Sequence, residues 1–168
     1  MLSTWSSNVA VDNTPRVYAD ADVFLHVLLN QEHADICAAV LEAAKRKDIR
    51  LVASRLLMVE VGGHGYLADS TERPGIERAN ALIADYLDLV DTEWVELDLI
   101  TAREAQQLAW DYKLRSSDAV HLATALRRNA NYFMSYDEKF PFGTTIGRTE
   151  VLRPAVVWQP TLEDGLVA

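Results

Sequence analysis

Two hydrophobic rhythms alternate along this chain. Short apolar runs suited to strands give way to longer stretches in which apolar residues recur every three or four positions, as on one helix face. Residues 17–20, Val17-Tyr18-Ala19-Asp20, read as a strand, and 23–30 as a short apolar helix. Over 33–47, Ile36, Val40, Leu41 and Ala44 keep helical spacing, and Lys45-Arg46-Lys47 closes the stretch with cations that suit the helix dipole. Ile49-Arg50-Leu51-Val52-Ala53 is a second strand. Ser54 stands where it can cap the next helix, over 54–68, which carries Leu56, Leu57, Val59, Glu60 and Val61. Gly62-Gly63-His64-Gly65 interrupts that helix, because glycine is costly inside one. It is a poor phosphate loop, since it neither follows a strand nor ends in Lys-Ser/Thr.

Further on, 76–89 is amphipathic and 94–97 is a third strand. A helix runs from Thr101 to about 113, with Glu104 placed as in a capping box. A helix over 117–129, a strand over 132–135 and an edge strand at Val151-Leu152 complete the series. Strands alternating with helices predict an α/β fold with a mostly parallel sheet covered on both faces. At 168 residues, one domain is the simplest reading. The expected organisation is a flexible extension over 1–16, a globular domain over 17–154 and a tail over 155–168. The tail's apolar start, with Trp158, suits packing on the body or on a partner.

Charge changes the picture more than overall composition does. A net charge of −9 argues against broad, charge-driven nucleic-acid binding, which needs a basic surface. A nuclease is still compatible, because divalent cations offset acidity where a phosphate must sit. The acidity also favours a basic protein partner. The single cysteine, Cys37, excludes an internal disulfide and a cysteine-built zinc site, and its Ala-rich helical setting marks it as a small buried residue. No apolar run approaches the ~20 residues that span a bilayer. The first residues lack the basic start and apolar block of a secretory signal, so a cytoplasmic location is expected.

The acidic residues are placed unevenly. Asp20 ends an apolar strand, where a carboxylate is hard to explain as core, although it also suits the cap of the next helix. Asp22 can point to the same mouth, as a ligand or in support, or cap that helix. Glu60 is a lone acid in Leu56-Leu57-Met58-Val59-Glu60-Val61 and should face water or a ligand. Asp118 opens a helix after two serines, a place the helix dipole also favours. His121 and Thr124 lie one turn on. His121 reads as a packed, hydrogen-bonded residue rather than a ligand, because hard-cation sites prefer oxygen. Ser135 and Asp137 follow the last strand of the core. Acids at strand ends and helix starts converge at one edge of an α/β sheet, and convergent carboxylates suit Mg²⁺ or Mn²⁺. No serine sits in a nucleophile-elbow context, no histidine pair has zinc-helix spacing, and no aromatic platform for base stacking is evident.

Together these segments resemble the PIN domain, and more closely the VapC-like toxins of toxin–antitoxin pairs, from about Val17 to Pro154. Asp20-Ala21-Asp22 resembles the family's first motif, with an acid at position 22 where a neutral residue is usual. Ser54 and Glu60 resemble its Ser…Glu helix. Ser117-Asp118-Ala119-Val120-His121-Leu122-Ala123-Thr124-Ala125 is the most specific match, and Ser135-Tyr136-Asp137 with Phe140 resembles the last motif. The resemblance implies a three-layer α/β sandwich with a five-stranded, mainly parallel sheet and a Mg²⁺- or Mn²⁺-dependent endoribonuclease. Asp20, Glu60, Asp118 and Asp137 would hold the metal and carry catalysis, with Ser135 positioning a ligand or water and Asp22 supporting. It also implies an RNA substrate, a homodimer and a small antitoxin. With few basic side chains nearby in sequence, the RNA would be gripped locally, by Arg55 or by Lys113 and Arg115, or across a dimer. Helices 33–47 and 54–68 and the apolar Phe24, Leu25 and Leu28 are candidate surfaces for such partners, with core packing as the plainer reading of the three apolar positions.

Two other functions compete. Asp20-Ala21-Asp22 after a strand also resembles the acidic pair of haloacid-dehalogenase-type phosphatases, but Phe24 stands where that family has Thr. A PIN-like fold that has lost activity and serves as a protein-binding module is the other.

Overall fold

The computed structural model describes residues 12–62 and 71–158. Its strands are β1 (Arg16–Ala19), β2 (Arg50–Ser54), β3 (Glu93–Val95), β4 (Tyr132–Met134), β5 (Thr145–Ile146) and β6 (Thr149–Leu152), in the sheet order β3-β2-β1-β4-β6-β5. The helices are α1 (Ala21–Leu28), α2 (Ala34–Lys45), α3 (Arg55–Gly62), α4 (Arg73–Leu89), α5 (Leu99–Tyr112) and α6 (Ser116–Arg127). Position 63 onward in the glycine-rich interruption, and with it the second half of the helix expected over 54–68, lie outside the described residues. So do residues 1–11 of the expected extension and 159–168 of the expected tail.

All neighbouring strand pairs are parallel except β5 with β6. The chain leaves β1 toward β2 and β3 on one side and returns on the other through β4. A crevice therefore opens beyond the carboxyl ends of β1 and β4, where the winding reverses. The sheet has six strands, not the five expected. The added strand is the two-residue β5, and the β5–β6 hairpin turns through Gly147 at φ 62°. A pair of residues is too short to show any alternation, so hydrophobic pattern could not reveal it.

Side-chain alternation explains the three layers. Val17 and Ala19 of β1 and Leu51 and Ala53 of β2 face a core closed by Val23 and Phe24 of α1, Val40 and Leu41 of α2, and Ile83 and Leu87 of α4. The intervening Tyr18 and Val52, with Phe133 and Val151, face the opposite core under α5 and α6. Trp158 is buried in the first of these cores, and Cys37 lies within it. Truncating a ring such as Phe133 to Ala would cost about 3–5 kcal/mol.

Several boundaries differ from the sequence reading for identifiable reasons. α5 begins at Leu99, because Asp98 and not Thr101 is its cap: Asp98 Oδ1 accepts from the Thr101 amide at 2.7 Å and from its hydroxyl at 2.8 Å. Thr101 is thus a donor to the cap, and Glu104 loses its capping-box position. α1 begins two residues earlier than expected, with the Asp20 carboxylate accepting from the Ala21 amide at 2.8 Å. The third strand occupies Glu93–Val95 and stops before Glu96. Ser54 caps α3 as expected, its hydroxyl accepting from the Leu56 amide at 3.1 Å. No described helix is long and apolar enough to cross a membrane.

Candidate active site

Asp20 leaves β1 at the crevice and is buried. Its amide donates to the Met134 carbonyl of β4 at 3.0 Å, which fixes the carboxylate at the junction of the two strands. Its Oδ2 accepts a hydrogen bond from the Ser135 hydroxyl at 3.0 Å. Asp22, in the first turn of α1, places Oδ2 2.9 Å from the same hydroxyl and 2.7 Å from the Tyr136 amide, which donates to it. Asp22 thus ties α1 to the end of β4. The Asp137 amide in turn donates to Ser135 Oγ at 3.0 Å.

The other wall comes from α3 and α6. Glu60 and His121 meet at 2.6 Å between Oε2 and Nε2. His121 is 1% exposed, and its Nδ1 lies 2.5 Å from the Tyr18 hydroxyl beneath it. Asp20, Glu60 and His121 each offer an atom within 4.8 Å of the others. His121 Nε2, however, is taken up by the hydrogen bond to Glu60, a separation that leaves no room for an ion between them. Its role is therefore the packed, hydrogen-bonded one read from sequence. Asp118 opens α6 beside Glu60, its Oδ1 3.4 Å from the Ser117 hydroxyl. Asp137 lies at the rim, where Oδ1 accepts from the Lys139 amide at 3.1 Å and Oδ2 pairs with the Lys139 ammonium at 3.4 Å.

Electrostatics identify a site with surplus negative charge. Burial, reinforced by Asp22, pushes the Asp20 carboxyl up to about 6 against the opposing pull of His121. Asp118 is raised too, by burial first and then by Asp137 and Glu60, with Arg115 pulling the other way. Glu60 goes down: burial would raise it, but the hydrogen bond and charge of His121, with Ser117, prevail. His121 is raised, because Glu60, Asp20 and Asp118 outweigh the burial that disfavours its cation. Asp118 Oδ2 and Asp22 Oδ1 are buried with no hydrogen-bond partner among the described residues. Crowded carboxylates with orphaned oxygens form a donor set that fits a hard divalent cation.

The remaining candidates are dispersed. Thr124 is buried and its hydroxyl bonds back to the Val120 carbonyl at 2.7 Å, so it serves its own helix. Arg55 lies over the Trp94 ring and pairs with Glu96 at 3.1 Å, so it is engaged away from the acids. Lys113 is the exposed left-handed C-cap of α5, and Arg115 is the exposed N-cap of α6, close enough to Asp118 to act on it. Phe24 is buried core, 2% exposed, and Leu25 and Leu28 are half-buried. Sequence reading missed Tyr18, which it treated as strand core. The available signal was chemical: a phenol in a strand buried on both faces needs a partner for its hydroxyl.

The PIN domain family model matches residues 17–141. No curated protein sequence matches the chain significantly. Among solved structures, the chain is similar to VapBC2 from Rickettsia felis, solved bound to a DNA fragment from its promoter. The TM-score is 0.60 at 12% identity, over 86% of this chain and 99% of that one. A toxin–antitoxin complex from Klebsiella pneumoniae gives 0.57 at 18% identity, covering 83% and 98%. FitAcB from Neisseria gonorrhoeae gives 0.57 at 16%, covering 82% and 97%. These identities speak for the fold, while the family match spans most of the chain and reaches from the strand before Asp20 to just beyond Asp137: the chain belongs to the PIN domain family.

Proposed function

We propose that this protein is a Mg²⁺- or Mn²⁺-dependent endoribonuclease, the toxin of a toxin–antitoxin pair. The observation that carries the reading is that Asp20 and Glu60 offer oxygens within 4.8 Å of each other, while Asp118, with a buried, unpartnered oxygen, is close enough to Glu60 and Asp137 to be raised by both. Asp20, Glu60 and Asp118 would hold the cation, with Asp137 closing the rim. A cation bound there supplies Lewis acidity toward a phosphodiester and acidifies water. The chain's own groups do the rest. Ser135 orients Asp20, and Asp22 braces Ser135 and the Tyr136 amide. A carboxylate not engaged with the cation accepts the proton of the attacking water. Arg115, whose charge reaches Asp118, would meet an RNA phosphate.

The three structural neighbours include toxin–antitoxin and VapBC complexes, which supports an antitoxin as partner here. The groove between α1, α2 and α4, lined by Phe24, Val27, Leu28, Leu82 and Tyr86, is the surface we assign to protein partners, the antitoxin or a second copy in a homodimer. The protein would act in the cytoplasm, where its RNA substrate is. The test is cleavage of mixed cellular RNA with Mn²⁺ or Mg²⁺, beside EDTA and Asp118→Asn. Discrete fragments that disappear with both controls support the reading. Folded protein that neither cleaves RNA nor binds Mn²⁺ would sink it and favour a non-catalytic binding module.

A further inference from the structure

A buried polar chain runs beneath the acids and ends on one of them, Glu60. Tyr18 is 0% exposed, and its ring lies parallel to Phe133, with centroids 5.3 Å apart and planes 11° apart. Its hydroxyl has two partners: the Ser54 amide at 3.3 Å and His121 Nδ1 at 2.5 Å. His121 Nε2 then meets Glu60 Oε2 at 2.6 Å. The chain thus joins the end of β2 to α3 through β1 and α6.

Only one arrangement of protons satisfies every member. The Ser54 amide can only donate, so it occupies a lone pair of the phenol oxygen. The phenol proton is then directed at His121 Nδ1, which must be bare to accept it. The ring proton sits on Nε2 and is donated to the Glu60 carboxylate, which can only accept when ionised. A proton on Nδ1 would leave the phenol hydrogen with neither of its two partners able to receive it. At a buried site such an orphan is costly.

We propose that Tyr18 is a positioning residue for the acidic site: anchored by the Ser54 amide, it fixes His121 as the Nε2–H tautomer, and that N–H holds Glu60 in the orientation a cation requires. The proposal rests on the metal-site reading of Glu60 given above. Ring orientation by a hydrogen bond on the far nitrogen is how supporting groups tune metal sites, and losing such a group typically lowers metal affinity about 10–100-fold. Here the tuned ligand is the carboxylate and the histidine is the intermediary.

The test uses Tyr18→Phe, which keeps the buried ring and removes only the hydroxyl. Phe133→Leu, which loosens the same packing without touching the polar chain, is the control. Two readouts are taken on the full chain. The first is long-range ¹H–¹⁵N NMR of the His121 ring in EDTA, with pH taken upward from about 8.5 until the ring is neutral, because Glu60, Asp20 and Asp118 raise it above its ordinary range. The second is Mn²⁺ affinity by calorimetry. In the parent, Nε2 should carry the proton and Nδ1 should show a hydrogen-bonded, unprotonated resonance. In Tyr18→Phe, Nδ1 should move toward the unbonded position and Mn²⁺ affinity should fall by about tenfold or more. Phe133→Leu should change neither. A parent ring protonated on Nδ1 would overturn the proposal. So would a Tyr18→Phe variant with unchanged Mn²⁺ affinity, or equal losses in both variants, which would make Tyr18 a packing residue. A parent with the expected tautomer and no Mn²⁺ binding would uphold the hydrogen-bond chain and sink the metal-site reading instead.

Discussion

Asp20 and Asp22 share a single donor: Ser135 Oγ is 3.0 Å from Oδ2 of the first and 2.9 Å from Oδ2 of the second. A hydroxyl has one proton, so it serves only one carboxylate at a time. Asp22 Oδ2 also receives the Tyr136 amide. Among the described residues Asp20 has only the Ala21 amide besides, and it lies in a buried position with Asp22 adding repulsion. The strained member of the pair is therefore Asp20.

In metal-free protein, Asp20 should destabilise the fold at neutral pH. Its folded-state carboxyl is pushed up to about 6, above the ordinary 3.8. A raised carboxyl binds its proton more tightly when folded, so its contribution is fully present below about pH 4 and lost as pH rises through 6. The loss approaches about 3 kcal/mol at pH 7. Asp20→Asn should thus be more stable than the parent at pH 7 in EDTA, with the gap closing toward pH 4, as read by urea denaturation at both pH values. A parent equally stable or more stable at neutral pH would show that the carboxylate is well solvated there.

Asp22→Asn should retain Mn²⁺ affinity and RNA cleavage within a few-fold. The Asn carbonyl oxygen can still accept from the Tyr136 amide and from Ser135, so the brace between α1 and β4 survives while the repulsion on Asp20 is relieved. Calorimetry and cleavage assays decide. A loss of Mn²⁺ affinity beyond the about 100-fold that removal of a supporting group accounts for would make Asp22 a direct ligand and not a brace.

The sequence made some parts of this site readable and not others. Asp20 and Asp118 stood out because an acid after Val17-Tyr18-Ala19, or opening an Ala-rich helix, needs a reason beyond solvation. Glu60 was ambiguous, because α3 is apolar on exposed faces too: Met58 and Val59 are 47% and 62% exposed. The order of strands and helices followed from periodicity, whereas β5 was too short to have one. Asp98 was overlooked as a cap because Leu99 and Ile100 look like strand residues although both are exposed on the first turn of α5. The Tyr18–His121–Glu60 chain was hidden for a different reason. It joins residues 103 and 61 positions apart, and no local pattern encodes a hydrogen bond at that range.

Lys139 should compete with the cation for Asp137. Its ammonium is 3.4 Å from Asp137 Oδ2 in a pair exposed on both sides. Such pairs are worth at most about 1 kcal/mol, so Lys139→Met should raise Mn²⁺ affinity by no more than about fivefold. The gain should shrink with added salt, which already screens the pair. Mn²⁺ titrations at low and high salt would show it. A fall in affinity would mean that Lys139 holds Asp137 in its working orientation and does not compete for it.

Arg115 should act on substrate binding more than on the chemical step. It caps α6 from an exposed position, and its charge reaches Asp118. Among the basic residues weighed as RNA contacts, Arg55 is committed to Glu96 and Trp94. Arg115→Ala should therefore raise KM for RNA by about tenfold while kcat changes little, and should reduce the salt slope of single-stranded RNA binding by ~0.7 if one phosphate contact is lost. Steady-state cleavage at several salt concentrations separates the outcomes. A large fall in kcat at unchanged KM would place Arg115 on the charge that develops during cleavage. An unchanged salt slope would leave the RNA grip to Lys113 or to a second copy of the chain.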